Sequence, residues 1–159
     1  FVAGLYEELL GRVADPEGLV YQVDRLMEGQ SPSVLIESLW NSAEHRALQV
    51  TEVYNEFLDR IPAPDETAFW VEQLGAGVSE IEFARTVLTS SEFITLNRNI
   101  PFHYIDDLYK LVLKREGSPG EIQYWVGLLN NGVAHYDIAQ AFLTTGERYN
   151  VVLNRYFNA

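Results

Sequence analysis

Cysteine is absent from the chain, which removes disulfides, cysteine-ligated zinc and thiol nucleophiles together. Lysine is scarce, confined to Lys110 and Lys114, and the 11 basic side chains face 23 acidic ones for a formal charge of −12. So acidic a chain repels phosphate backbones and anionic headgroups, so nucleic acids and membrane surfaces are poor partners. No stretch of 18 apolar residues occurs, so membrane insertion is not expected, and the first residues lack a secretion-signal pattern. The chain opens at Phe1, inside what already reads as an amphipathic helix. That reads as an excerpt of a longer protein.

Catalytic signatures are missing as well. There is no HExxH, no GxSxG and no phosphate-cradling glycine loop. His45, His103 and His135 share no common pattern, and the adjacent acids Glu7-Glu8 and Asp106-Asp107 point to different sides of a helix. A glycosidase with two distant carboxylates is the one enzymatic alternative that spacing alone leaves open. The expectation is a non-enzyme with no cofactor.

What the chain does contain is apolar mass and repetition. Hydrophobic residues make up 47% and aromatics 13% of 159 residues, enough for a packed core. Three segments align without internal gaps: GLYEELLGRVADPEGLVYQVDRLMEG, EVYNEFLDRIPAPDETAFWVEQLGAG and DLYKLVLKREGSPGEIQYWVGLLNNG. Tyr6/Tyr54/Tyr109, Arg12/Arg60/Arg115, Pro16/Pro64/Pro119, Val23/Val71/Val126, Leu26/Leu74/Leu129, Gly29/Gly77/Gly132 and Glu44/Glu92/Glu147 are identical in all three copies. The copies are offset by 48 and then 55 residues, so about seven extra residues lie around positions 99–105. Period detection of this kind fixes the architecture before any local assignment. The fold expected is all-α: one helical domain over residues 1–159 built of three repeats, about 1–48, 49–98 and 104–159, with an insertion near 99–103.

Each copy reads as short helices with explicit punctuation. Leu5, Tyr6, Leu9 and Leu10 form one face of a first helix. Asp15-Pro16, Ala63-Pro64 and Ser118-Pro119 open a second helix with proline at its first position, and Ser118 with Glu121 predicts a capping box. Its expected inward stripe is Leu19, Val23 and Leu26, repeated as Ile122, Trp125, Val126 and Leu129. Gly29, Gly77 and Gly132 then end it in a left-handed conformation. A third helix begins at Ser31-Pro32 and at Ser79, with Leu35, Ile36, Leu39 and Trp40 on its apolar face. Asn41-Ser-Ala-Glu44, Thr89-Ser-Ser-Glu92 and Thr144-Thr-Gly-Glu147 look like capping boxes of a fourth element. Between copies one and two this element should run almost directly into the next first helix; Pro101 interrupts it between copies two and three.

Arg12, Arg60 and Arg115 have two readings. They can serve the helix end and pair with the shared glutamates, or they can hold anionic groups of a glycan or partner, three weak sites adding by avidity. Trp70 and Trp125 are equivalent in the repeat, with Gln22 in the first copy and Tyr21 just before it. They lie on the core stripe, so packing is the expected role and sugar stacking the alternative. Asp15-Pro-Glu17 and Pro64-Asp65-Glu66 raise calcium, but the twelve-residue loop pattern is absent and the third copy has Ser118-Pro119-Gly120. Neither calcium nor another metal is expected to bind specifically.

The string LYEELLGRVADPEGLVY, followed by Gly29-x-Ser31 and Asn41-Ser-Ala-Glu44, resembles the helical repeat of domain-of-unknown-function family 4214, whose pattern is L-Y-x-x-L-L-G-R-x-x-D-x-x-G-x-x-Y-W ending in S-x-E-F. Phe69-Trp70 and Ser90-Ser-Glu92-Phe93 supply the rest in the second copy; the first departs at Gln22 and His45, the third at Lys114 and Arg148. The resemblance implies an all-helical fold similar to the phycobilisome linker domain, and a place within large secreted or surface-layer bacterial proteins, often beside calcium-binding repeats. The function it suggests is an extracellular interaction or anchoring module whose partner is a cell-surface glycan or protein. The alternatives are a linker-like scaffold adaptor, or an appendage to an enzyme whose chemistry lies elsewhere. Phycobilisome work is disfavoured by matching acid against acid.

Overall fold

A computed structural model describes the backbone of residues 1–157 and the side chains of residues 1–151. Among the described residues every regular element is helical. The helices are α1 (Val2–Leu10), α2 (Pro16–Met27), α3 (Pro32–Trp40), α4 (Ala43–Leu58), α5 (Pro64–Gly75), α6 (Glu80–Leu88), α7 (Ser91–Leu96), α8 (Pro101–Asp107), α9 (Pro119–Asn130), α10 (His135–Leu143) and α11 (Gly146–Phe157). A π-helical segment, Leu108–Val112, continues α8.

The punctuation read from the sequence is present. Pro16, Pro32, Pro64 and Pro119 stand at helix starts, where a missing N–H costs nothing. Asp15 accepts from Gly18 N at 2.7 Å, and Ser79 Oγ from Glu82 N at 3.1 Å. Ser118 and Glu121 form the expected reciprocal box. Gly29, Gly77 and Gly132 have φ of 101°, 101° and 88°, a region closed to side chains with a Cβ. The first helices end in a left-handed residue too: Gly11 in copy one, and Asp59 and Lys114 at the equivalent positions of copies two and three, with φ of 62°, 52° and 55°. The next residue is the shared arginine, and Arg12 N and Arg115 N close back on the carbonyls of Tyr6 and Tyr109.

As expected, α4 runs without a break from the fourth element of copy one into the first helix of copy two. At the next junction α7 stops at Leu96, and Arg98 and Asn99 both take φ of 55° before Pro101 opens α8. The interruption therefore starts at the left-handed pair, and the proline begins the following helix.

The helices fall into two compact units whose limits do not follow the repeats: residues 1–52 with 62–77, and residues 53–61 with 78–159. In the N-terminal unit α1 packs on α2 and α3. Its core comprises Val2, Tyr6, Leu10, Ala14, Leu35 and Leu39, with Leu5, Leu9, Leu19 and Leu26 half-buried around them. Each buried aliphatic side chain contributes roughly 1.5–3 kcal/mol. In the C-terminal unit α10 packs on α6 and on the π-helical segment, and α8 packs on α9. Phe83, Tyr104, Ile105, Leu108, Ile138 and Phe142 are fully enclosed there. Phe93 meets Tyr104 edge-on at 5.7 Å, and Tyr109 meets Phe142 edge-on at 4.9 Å.

Two expected core positions come out wetter than their spacing implies. Val23 and Ile36 are exposed, and α2 has no fully buried residue. The stripe on α2 is narrow, so Leu19 and Leu26 take the contact with the core and Val23 falls at its edge.

Candidate functional site

The shared residues meet as one recurring clasp. In copy one the guanidinium of Arg12 forks onto the carboxylate of Glu44, Nε to Oε1 and Nη2 to Oε2, the latter at 3.0 Å. In copy two Arg60 does the same to Glu92 at 2.6 and 2.8 Å. In copy three Arg115 Nη2 reaches Glu147 at 3.1 Å and is shared with Glu121, 2.8 Å away. Each guanidinium also lies over the ring of its shared tyrosine, 5.3 Å from Tyr6, 4.9 Å from Tyr54 and 4.7 Å from Tyr109. Nη1 donates to the next residue's carbonyl in every copy: Val13, Ile61 and Glu116. The clasp joins the end of the first helix to the start of the fourth within each repeat.

Its electrostatics follow from the pairing. The hydrogen bond from Arg12 holds the Glu44 carboxyl below its ordinary range, and the same bond raises Arg12. Arg115, with Ser118, holds Glu121 down at about 2. Burial pushes the Tyr109 phenol up.

Glutamate pairing corrects the expected capping boxes. The residues that cap the fourth helices are Ser42, Ser90 and Thr145, which accept from His45 N, Phe93 N and Arg148 N at 3.1, 3.2 and 3.2 Å. These lie one position later than Asn41, Thr89 and Thr144, which instead donate back to the carbonyls of Glu37, Arg85 and Gln140 and close the third helix. Glu44, Glu92 and Glu147 thus fall one position short of the box. They are too early to fold back on the cap, and so reach across to arginine.

Of the tryptophans, Trp70 is buried. Trp125 is half-buried, donates from Nε1 to Tyr109 Oη at 3.1 Å and leans on Phe142 at 5.1 Å. The rings that face outward are their chain neighbours. Tyr21, Phe69 and Tyr124 occupy one repeat position, and they are 55%, 54% and 63% exposed. Phe69 meets Trp70 edge-on at 5.2 Å, and Tyr124 meets Trp125 at 5.4 Å, so the inner tryptophan braces the outer ring in both copies. A comparison of identical residues passes over this position because Phe69 differs from tyrosine by a hydroxyl; a comparison by aromatic character would have found it. It is the missed candidate.

Among the described residues no group of three or more His, Asp or Glu is placed to hold a metal ion, and no helix is long and apolar enough to cross a membrane. In the C-terminal unit a cleft of about 460 Å³ opens among Ile81, Ala84, Leu143 and Tyr149, with Glu80 and Arg148 at its polar edge. Arg148 is engaged by the Val112 carbonyl at 3.1 Å.

The sequence model of the family described as "Domain of unknown function (DUF4214)" matches residues 48–97 and 98–155. These adjacent segments hold the second and third copies and cover more than half of the chain. The protein belongs to that family. The first copy lies outside the matched residues, although the clasp shows that it is built the same way. No curated protein and no solved structure matches the chain.

Proposed function

We propose that this protein is a non-catalytic interaction module of a larger surface-displayed or secreted bacterial protein, holding a cell-surface glycan or protein through one outward aromatic ring per repeat. The observation that carries this reading is the recurrence of Tyr21, Phe69 and Tyr124 at one position, each more than half exposed. An exposed aromatic on a helix forgoes about 1.5–3 kcal/mol of burial. Repeating it three times calls for a reason outside the fold. The rings of Phe69 and Tyr124 are held edge-on by tryptophan, which limits the entropy lost on binding. Weak contacts repeated along one chain combine by effective concentration.

Each clasp arginine has a carboxylate, a ring and a carbonyl as partners, which supports a scaffold role for them and leaves the outward rings as the contact groups. The test compares the chain with its Tyr21→Ala/Phe69→Ala/Tyr124→Ala variant on a glycan array and on bacterial envelope fragments, with circular dichroism confirming the fold of both. The expected result is binding by the parent and at least ten-fold weaker binding by the variant. Equal binding by the two, or no binding by the parent to either material, overturns the reading.

A further inference from the structure

The chain holds arginine in a consistent way. Five guanidinium groups lie over aromatic rings: Arg12 on Tyr6, Arg25 on Tyr21, Arg60 on Tyr54, Arg85 on Tyr136 and Arg115 on Tyr109. Four of these also meet a carboxylate: Glu44, Glu92, Glu82 and Glu147 respectively for Arg12, Arg60, Arg85 and Arg115. Ring plus carboxylate is how this protein binds a planar cation.

One place on α5 has the ring and the carboxylates but no arginine. Phe69 is exposed, with Asp65 four residues before it and Glu72 three residues after it. Those spacings put all three on one helical face. Both carboxylates are exposed, and no described residue pairs with either. Asp65 has a local reason to be acidic, since it sits in the first turn. Glu72 has the opposite problem: it lies in the last turn, where the helix dipole disfavours a negative charge.

The equivalent ring in copy one carries an arginine, held by the ring and its hydroxyl and not by the acids at the same spacing. Glu17 and Asp24 flank Tyr21, and Arg25 of the same helix stacks on the ring at 5.5 Å and bonds its hydroxyl at 2.9 Å. The counterpart of Arg25 in copy two is Gln73, so α5 itself supplies no arginine to the Phe69 ring; Arg46 does reach α5, its guanidinium lying against Gly75, one turn beyond Glu72. In copy three the flanking acids are replaced by Gly120 and Gly127 and the site is lost. The charge of the surrounding unit agrees. The N-terminal unit carries twelve acidic side chains against three arginines, which is −9 of the chain's −12. A field of that sign draws a basic partner towards α5 and repels an acidic one.

We infer that the Asp65–Phe69–Glu72 face of α5 docks an arginine side chain from a basic segment of a protein partner, which takes the place that Arg25 fills in copy one. The inference rests on the aromatic-contact reading above and narrows it to one ring and one partner chemistry. A guanidinium stacks flat on the phenyl ring with its edges turned to the two carboxylates. An ammonium satisfies the charge but not the stacking, so lysine binds more weakly.

The experiment titrates the full chain with the peptide acetyl-Gly-Arg-Gly-Arg-Gly-amide, followed by amide chemical-shift mapping. Lysine and citrulline versions of the peptide and a glucosamine oligomer are run alongside. The arginine peptide should shift the amides of residues 65–73, with affinity falling on added salt. Phe69→Ala and Glu72→Gln should each weaken it about five-fold, Phe102→Ala, at an exposed ring outside the three contact positions, should leave it unchanged, and citrulline should not bind. Because Phe69 and Glu72 are exposed, melting temperatures of the variants should match the parent and exclude misfolding. Unaltered arginine-peptide binding by Phe69→Ala, equal binding of citrulline, or a glucosamine oligomer taking the same amides more tightly, each overturns the inference. If the triple-alanine variant loses its envelope or glycan partner while the arginine peptide fails to map to α5, this inference alone is wrong. If that variant binds like the parent, the broader reading is the one that fails.

Discussion

Replacing Arg60 tests whether the shared arginine is a structural clasp. Its fork onto Glu92 is bidentate at 2.6 and 2.8 Å, but the two side chains are 33% and 41% exposed, so solvent screening limits the pair to about 0.5–1 kcal/mol. Stacking on Tyr54 at 4.9 Å adds about 0.5–1 kcal/mol, and the bond to the Ile61 carbonyl about 0.5 kcal/mol. Arg60→Ala should therefore cost about 2 kcal/mol, since the exposed Glu92 rehydrates and leaves no buried charge. For a chain of this size that is a fall of about 4–8 °C in melting temperature, read by circular dichroism. Arg60→Lys keeps the charge and loses the fork, so about half the cost should remain. A double-mutant cycle with Glu92→Gln should return about 0.5–1 kcal/mol of coupling, whereas Glu147→Gln should cost less, because Arg115 keeps Glu121. Melting temperatures of Arg60→Ala and Arg60→Lys within 1 °C of the parent would refute this reasoning. A ligand-holding arginine would behave in that way, with binding lost and stability kept.

Asp59→Gly should stabilise by about 0.5 kcal/mol, because Asp59 holds the left-handed φ of 52° that glycine serves at Gly11; a lower urea midpoint would contradict it. Gly77→Ala should lower stability by at least about 1 kcal/mol for the strain at φ 101°, and Gly127→Ala, inside α9 with open space for a Cβ, should raise it by about 0.5–1 kcal/mol. Thermal melts of the pair should move in opposite directions. Glu121 sits at about 2 when folded and at the ordinary carboxylate value when unfolded, so the unfolded chain binds its proton first. The stability it contributes is complete above about pH 4.5 and is lost as pH falls towards 2. Glu121→Gln should flatten the urea-midpoint profile across that window, and an unchanged slope would count against the pairing.

Periodic features were the most legible in the sequence. Helix content, the glycine stops, the proline starts and the fused α4 all follow from residues that act within four positions of themselves. The fourth-helix cap was misplaced by one residue because Asn41 and Ser42 both suit a cap, and only the glutamate's reach to Arg12 separates them. Val23 and Ile36 read as core because spacing shows which face is apolar and not how wide the neighbouring helix is. Outward Tyr21, Phe69 and Tyr124 were hidden by proximity: Trp70 and Trp125 next door are larger, and a helix turns neighbours to different sides. The concentration of negative charge in one unit could not be read at all, since the unit takes α5 from the second repeat and omits the end of α4.

That division of the second repeat governs how the chain can be shortened or lengthened. A cut at residue 48, where the copies meet on paper, severs α4 in its middle and leaves hydrophobic stubs on both sides. Excision of a full 48-residue period between copies one and two is different, because it rejoins equivalent backbone: removing residues 30–77 places Gly29 ahead of Val78, as Gly77 stood before it. The chain is therefore modular in phase and not in pieces, and its smallest interchangeable part is one whole period, 48 or 55 residues long, with no fixed beginning.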